Sequence, residues 1–240
     1  MNSVKSPNFD KRPSGVKIDT IVIHYTGMQT ADEAVKRLCL PSSKVSAHYF
    51  IDEDGSVIKL VEEKYCAWHA GISNWRGKYR VNDFSIGIEL VNPGHEFGYR
   101  PFTEKQMESL IALCKEIKTR HPIENRNVIG HSDVATERKE DPGELFNWKM
   151  LAEEGIGLFP VISDDVSNKV VLRSGDRGDK VLELQKNLAE FGYDIKADAV
   201  YAEGTKQVVK AFQRHFAPDR LDGAWNEKNQ AILLALLSSI

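Results

Sequence analysis

A metal site would explain the positions of two histidines and an aspartate in this 240-residue chain. His24 ends the apolar run Ile21–Ile23, and His131 follows Val128–Gly130. A buried imidazole costs free energy unless another group pairs with it or binds it. Asp141 follows His131 by ten residues. Two neutral imidazoles and one carboxylate leave a fourth tetrahedral position open for water, an arrangement typical of catalytic zinc.

A second carboxylate and an amine could act beside such a metal. Glu89 lies on the same face of a predicted strand as Ser85 and Gly87, and the glycine leaves room for a ligand to approach. Glu89 is therefore a candidate acid/base, with an edge-strand salt bridge as the alternative. If its segment is extended, Lys139 points to the same side as Asp141 and its ammonium reaches an oxygen bound there. The alternative is a solvated lysine in a charged turn.

The other histidines and the cysteines give weaker indications. His95, His121 and His215 have no partner pattern, and we predict that His48 is a hydrogen-bonded core imidazole. Three cysteines without a C-x-x-C pair indicate neither a disulfide framework nor a thiolate zinc site. We expect buried or half-buried free thiols at Cys39, Cys66 and Cys114.

Composition and charge exclude several classes of protein. The chain is 41% hydrophobic and 28% charged, which is typical of a globular protein. Its formal net charge of −3 gives no general attraction to phosphate backbones, so we expect no nucleic-acid partner. The longest apolar run, Ala231–Leu237, is far shorter than the ~20 residues that span a bilayer, so no transmembrane segment is predicted. Residues 1–17 lack the apolar core of a secretory signal.

The elements that must position these side chains alternate between strand and helix, which predicts an α/β domain. Capping boxes begin helices at Thr30 and Thr103, and Asp54-Gly55 predicts a hairpin. The spacing of Val181, Leu184, Gln185 and Leu188 recurs at Val209, Phe212, Gln213 and Phe216, and a third helix is predicted at 226–237. The predicted organisation is a leader at 1–17, a catalytic domain at 18–160, a linker at 161–169 and a small three-helix domain at 170–240.

Six short motifs follow one another between residues 18 and 160. They are Ile21–Thr26, Ser46–Tyr49, Ala67–Gly71, Ser85–Leu90, Gly130–Asp133 and Arg138–Gly143. Together they resemble the zinc-dependent N-acetylmuramoyl-L-alanine amidases of the AmpD and AmiD type. The pattern from Leu172 to Tyr193 resembles the three-helix peptidoglycan-binding domain, with a departure at Asp198–Gly204, where that family usually has a second Asp-Gly-x-x-Gly turn.

The resemblance implies a fold, a cofactor and residue roles. The fold is a mixed β-sheet flanked by helices, as in amidases and peptidoglycan-recognition proteins. His24, His131 and Asp141 hold one Zn²⁺, Glu89 is the general base and Lys139 steadies the oxyanion. The reaction is hydrolysis of the amide between the lactyl group of N-acetylmuramic acid, intact or 1,6-anhydro, and L-alanine. We predict that substrate contacts come from Tyr25, Trp68, His69, Ala70, Trp75, Arg76 and Asn82.

Alternatives remain open at this point. A non-catalytic peptidoglycan receptor is the second hypothesis, although it predicts a disrupted ligand set, and the C-terminal domain could bind protein rather than glycan. The partner is peptidoglycan or soluble muropeptides, and the oligomeric state is open. A wall-binding domain favours the cell envelope, periplasm or secretion, whereas the missing signal favours the cytoplasm.

Overall fold

The computed structural model describes residues 4–163 and 165–240. Met1–Ser3 of the predicted leader and Asp164 of the predicted linker lie outside the described residues. The N-terminal part, up to residue 163, contains strands β1 (Phe9–Lys11), β2 (Thr20–Tyr25), β3 (Tyr49–Ile51), β4 (Val57–Lys59), β5 (Tyr65–Ala67), β6 (Asn74–Trp75), β7 (Lys78–Tyr79), β8 (Ser85–Leu90) and β9 (Val128–Gly130). Its helices are α1 (Ala31–Cys39), α2 (Gly94–Phe97), α3 (Glu104–Arg120), α4 (His131–Val134) and α5 (Trp148–Glu153), with short 3₁₀ turns at Pro41–Ser43, Val81–Phe84 and Asn125–Asn127.

A five-stranded mixed sheet in the order β4-β3-β8-β2-β9 forms the centre of this part. β3, β8, β2 and β9 run parallel, and β4 pairs antiparallel with β3 through the predicted hairpin. The mixed sheet with flanking helices confirms the predicted fold class. Both capping threonines are confirmed as well, since Thr30 accepts from the backbone N–H of Glu33 and Thr103 forms a full capping box with Gln106.

Side chains alternate between the two faces of the sheet, as the period of two requires. Ile21 and Ile23 pack with the apolar face of α3, including Leu110 and Cys114. Val22 faces the opposite side and belongs to a different cluster. His24 follows the same alternation and lies on the face away from α3. Among the cysteines, Cys66 and Cys114 are buried, Cys39 is half-buried and all three are free, as predicted.

The predicted leader is part of the folded body. β1 pairs antiparallel with β5, with Asp10 opposite Cys66. The guanidinium of Arg12 donates to the backbone carbonyls of Glu63, Asn82, Asp83 and Ser85 at 2.8–3.0 Å. The prediction that residues 1–17 form a separate leader is therefore wrong for the described residues, because these backbone acceptors are distant in sequence and left no local pattern.

The C-terminal unit, residues 170–240, contains three long helices as predicted. They are α6 (Asp179–Phe191), α7 (Glu203–Phe216) and α8 (Glu227–Ser238), joined by the small antiparallel pair β10 (Val170–Leu172) and β11 (Trp225–Asn226). No helix in the described part of the chain is long and apolar enough to cross a membrane.

The repeated glutamine of the C-terminal unit explains the weak internal repeat. Gln185 and Gln213 are fully buried, and each side-chain oxygen accepts backbone N–H bonds from a turn that follows its helix. Gln185 holds the turn at Ala199, where the sequence departs from the usual glycine. Ala199 adopts φ of +62°, so this chain keeps a left-handed turn there without the glycine that normally favours it.

Candidate active site

Three neighbouring parallel strands end at the same edge of the sheet and carry the predicted catalytic set. β2 lies between β8 and β9, and His24 is the register partner of Glu89. His131 follows the last residue of β9 directly and begins α4. Ligands of parallel sheets bind at the carboxyl ends of strands, where the direction of the chain brings distant residues together. The strand register therefore explains why residues 24, 89 and 131 meet.

The three predicted metal ligands converge on one point. Nδ1 of His24, Nδ1 of His131 and Oδ2 of Asp141 lie 2.9–3.0 Å from one another. All three side chains are buried, with residue exposures of 1%, 3% and 5%. Two imidazole nitrogens and one carboxylate oxygen are a donor set that zinc prefers. Among the described residues, this is the only group of three or more His, Cys, Asp or Glu side chains whose ligand atoms lie close enough together to hold a metal ion.

Hydrogen bonds on the far side of the ligands support a metal at this point. Nε2 of His131 donates to the carbonyl of Ala70 at 3.0 Å, because a carbonyl only accepts. When this ring carries a single hydrogen, its lone pair is therefore on Nδ1, which faces Asp141. Burial alone raises the pKa of the Asp141 carboxyl, but His131 and His24 outweigh it and lower the pKa far below its usual value. A lone pair and a carboxylate facing each other fit a bound cation.

Glu89 stands beside this centre with one oxygen unused. Its Oε2 is buried and has no hydrogen-bond partner among the residues that the structure describes. Burial, and then the charge of Asp141, raises the pKa of Glu89 well above its usual value. An unpaired buried carboxylate oxygen is costly, and a group that fills the neighbouring space would satisfy it. Because no salt bridge forms at Glu89, the alternative interpretation of an edge-strand ion pair does not hold.

A cavity of about 730 Å³ opens over this centre. Its walls include all three predicted ligands, Glu89 and Lys139, so the lysine and Asp141 do face the same space. Three of the predicted substrate contacts line it as well: Tyr25, Trp68 and His69.

Two predicted substrate contacts, the half-buried Asn82 and the buried Ala70, support the site from behind instead. Asn82 accepts from the backbone N–H groups of His69 and Ala70 at 3.2 and 2.7 Å. Ala70 is fully buried, and its carbonyl accepts from His131 and also from Arg138. Neither Asn82 nor Ala70 lines the cavity, so this structure gives them a supporting role, and their contact with substrate stays a prediction.

Trp75 and Arg76 lie at the contact between the two parts of the chain. Trp75 is 1% exposed and packs edge-on against Phe191 and Tyr193 of the C-terminal unit. The backbone N–H of Arg76 donates to the carbonyl of Gly192, and its side chain pairs with Glu124. Their prediction as groove residues is therefore corrected, because a packing partner more than a hundred residues away leaves no trace in the local sequence.

Sequence reasoning also missed a set of contacts around Asp133. Its Oδ1 accepts from the Tyr193 hydroxyl and its Oδ2 from His215, both at 2.8 Å, while Oδ2 also accepts from the backbone N–H of Gly130. His215 stacks on Trp148 with ring centroids 3.8 Å apart. His48, in contrast, is a buried hydrogen-bonded core histidine as predicted.

The fold and the site together define a class of protein: metal-dependent hydrolases of mixed α/β fold. Their two-histidine, one-carboxylate site lies at the ends of parallel strands and leaves one position open. The model of the family described as "N-acetylmuramoyl-L-alanine amidase" matches residues 14–144, and that of the family described as "Putative peptidoglycan binding domain" matches residues 177–233. The chain belongs to the N-acetylmuramoyl-L-alanine amidase family, whose members hydrolyse the amide between N-acetylmuramic acid and L-alanine.

Individual relatives support this assignment over nearly the whole chain. The chain is 39% identical to N-acetylmuramoyl-L-alanine amidase AmiD of Escherichia coli, over 92% of this chain and 83% of that protein. It is 35% identical to 1,6-anhydro-N-acetylmuramyl-L-alanine amidase AmpD of Haemophilus influenzae, over 61% of this chain and 87% of that protein.

Two solved structures extend the similarity to complexes with ligands. E. coli AmiD in complex with the substrate anhydro-N-acetylmuramic acid-L-Ala-D-γ-Glu-L-Lys matches with a TM-score of 0.79 at 37% identity, covering 95% of this chain and 93% of that one. AmpDh3 of Pseudomonas aeruginosa in complex with anhydromuramic pentapeptide matches with a TM-score of 0.76 at 28% identity, covering 100% of this chain and 99% of that one.

Proposed function

We propose that this amidase works with one Zn²⁺ held by His24, His131 and Asp141, with Glu89 as the general base and Lys139 as the oxyanion stabiliser. The observation that carries the proposal is the convergence of three ligand atoms beside a buried carboxylate oxygen that has no partner. A bound zinc supplies Lewis acidity, which polarises a carbonyl and lowers the pKa of water towards about 7.

The residues around the centre have separate tasks. Glu89 holds a raised pKa, which suits a group that takes a proton from the attacking water and passes it to the leaving amine of L-alanine. Lys139 lines the same cavity and supplies positive charge where the amide oxygen becomes negative. Tyr25 and Trp68 provide flat faces along the wall for the sugar and the peptide.

The substrate class follows from the relatives and from the size of the cavity. The complexes with anhydro-muramic peptides belong to similar proteins, and the cavity of about 730 Å³ falls within the usual range for a ligand of a few hundred daltons. We infer that this chain cleaves the lactyl-alanine amide of muropeptides, including 1,6-anhydro forms, and of intact peptidoglycan.

Mass spectrometry of reaction products tests this function directly. Intact sacculi and purified anhydro-muropeptides are digested side by side, with and without a chelator. Release of free stem peptides that stops on chelation and returns with added zinc is the expected result. Binding to sacculi without any released peptide would instead favour the non-catalytic receptor, which is the alternative that the complete ligand set opposes.

The C-terminal unit is proposed to hold the enzyme on peptidoglycan. A second cleft of about 490 Å³ lies between the two parts of the chain, and its walls include the turn from Asp198 to Gly204 and the exposed Ile72. A glycan strand with its peptides is the occupant that we propose for this cleft. We therefore propose that the protein works in the cell envelope, and soluble muropeptide recycling in the cytoplasm is the alternative.

A substitution in the second cleft separates glycan binding from protein binding. A Cβ added at Gly204 meets no atom within 4 Å, so the side chain of Gly204→Trp begins in open space at a position that lines the cleft. We expect this full-length variant to bind purified sacculi more weakly in a chelator-treated pull-down. Glu183→Trp, on the exposed surface of α6, is the matched control. Unchanged binding of the Gly204 variant would favour the protein-contact alternative.

A further inference from the structure

A chain of hydrogen bonds connects His24, a proposed metal ligand, to the backbone carbonyl of Val81. Nε2 of His24 lies 3.1 Å from Nδ1 of His69, and Nε2 of His69 lies 3.0 Å from the hydroxyl of Ser85. That hydroxyl lies 2.6 Å from the carbonyl oxygen of Val81. His24, His69 and Ser85 are all buried, with exposures of 1%, 8% and 0%.

Chemistry fixes the direction of every bond in this chain. A carbonyl oxygen never donates, so the hydrogen between Ser85 and Val81 belongs to the hydroxyl. The hydroxyl has no second hydrogen, so His69 must donate through Nε2 and Ser85 accepts. A neutral His69 then has a bare Nδ1, and His24 must donate to it through its own Nε2.

The directions of these hydrogen bonds define the tautomer of His24. With its hydrogen on Nε2, the neutral ring presents a lone pair on Nδ1. That atom is the one that lies 2.9–3.0 Å from Asp141 and His131. We propose that His69 and Ser85 are positioning residues that hold His24 in its metal-binding tautomer and orientation. The proposal rests on the proposed metal site, and it adds two residues that lie outside the set of three metal ligands.

Gly87 provides the space that this chain requires. A Cβ at Gly87 would lie 2.3 Å from Cγ of His69, which is closer than any real contact of that kind. The room that the glycine leaves on the strand is therefore filled by the His69 ring and not by a ligand. This close approach to β8 lets the His69 ring lie between His24 and Ser85. Any side chain at position 87 would displace the ring.

Nitrogen NMR of the zinc-free wild-type protein tests the tautomer without any activity measurement. Long-range ¹H–¹⁵N spectra of ¹⁵N-histidine-labelled protein distinguish a protonated from a bare ring nitrogen, and His24→Asn assigns the signal. We expect His24 to carry its hydrogen on Nε2, and His69 likewise. A His24 ring with its hydrogen on Nδ1 would overturn the proposal, whether or not the protein hydrolyses muropeptides.

Two variants of His69 provide a matched pair. His69→Asn keeps an acceptor near the position of Nδ1, whereas His69→Leu removes every polar atom. Loss of a group that orients a metal-bound histidine typically weakens metal affinity about 10–100-fold. We expect a loss of that size for the leucine variant and a smaller loss for the asparagine variant, measured by competition with a chromophoric zinc chelator.

Ser85→Ala extends the test to the far end of the chain. Without the hydroxyl, nothing fixes which nitrogen of His69 is protonated, so His24 should show a mixture of tautomers and weaker zinc binding. Equal zinc affinity in wild type, His69→Leu and Ser85→Ala would overturn the proposal. A purely structural role would lower thermal stability in these variants and leave the His24 spectrum of the remaining folded protein unchanged, which also contradicts it.

Discussion

The hydroxyl of Tyr193 donates a hydrogen bond of 2.8 Å to Oδ1 of Asp133, two residues after the proposed ligand His131. The bond joins the C-terminal unit to α4, the short helix that begins at His131. His215 occupies the other carboxylate oxygen, and Asp133 is 1% exposed. A buried carboxylate depends on its partners, so the C-terminal unit is docked on the back of the active site rather than tethered at a distance.

Removing this hydroxyl should destabilise the whole chain. Tyr193→Phe deletes one hydrogen bond to a buried charged group, which typically costs about 1.5–3 kcal/mol. We expect a loss of that size in the free energy of unfolding, measured by urea denaturation. Tyr79→Phe is the matched control, because the Tyr79 side chain is largely exposed. Equal stability of the two variants would show that the contact between the two parts contributes nothing.

Glu89→Gln should separate catalysis from metal binding. The amide has nearly the same shape as the carboxylate but does not accept a proton, and loss of a general base typically costs 10²–10⁴-fold. We expect kcat on a muropeptide to fall by about that factor, while zinc content measured by elemental analysis stays at one per chain. Wild-type turnover in this variant would exclude Glu89 as the base.

Lys139→Met tests electrostatic stabilisation of the developing oxyanion. Methionine keeps most of the apolar stem of lysine and removes the charge. Loss of one oxyanion-stabilising group typically lowers kcat about 10²–10³-fold. We expect a loss of that size in kcat with little change in KM, and partial recovery in Lys139→Arg. A change confined to KM would instead assign Lys139 to ground-state binding of the substrate.

Ala199→Gly should stabilise the C-terminal unit. A non-glycine residue in the left-handed region costs about 1–2 kcal/mol, and glycine costs roughly 0.5–1 kcal/mol of chain entropy. Since Ala199 has φ of +62°, we expect a net gain of roughly 0.5–1 kcal/mol in urea denaturation. Ala189→Gly, in the helical part of α6, should be destabilising. A loss of stability at position 199 would mean that the alanine side chain makes a compensating contact.

Three of the site residues that were predicted from sequence share one property: each stands at the end of a recognisable strand. His24, Glu89 and His131 follow apolar β-rich runs, and parallel strand ends meet at one edge. Long-range contacts left no such pattern. The sequence around Trp75 contains no pattern that indicates packing against Tyr193. The sequence around Asp133 contains none that indicates a hydrogen bond from His215.

His69 is an intermediate case. Gly87 inside a strand indicates that something approaches the backbone closely, so the sequence contained a signal for the chain of hydrogen bonds behind His24. The signal does not say what approaches. We predicted a ligand, and the structure places the His69 ring there instead. Only the three-dimensional arrangement distinguishes a space for substrate from a space for a neighbouring side chain.

The pH dependence of stability should reveal Glu63. Burial alone would raise its pKa, but hydrogen bonds from Arg120, Tyr49 and His121 outweigh this and lower the pKa to about 2 from 4.5. A lowered pKa stabilises the fold above the unfolded value, and this contribution is lost as pH falls from about 4.5 to 2. Glu63→Gln should therefore lower Tm clearly at pH 7, and the gap from wild type should narrow below pH 4 in calorimetry. Glu108→Gln, at an exposed position of α3, is the control. A gap independent of pH would contradict the assignment.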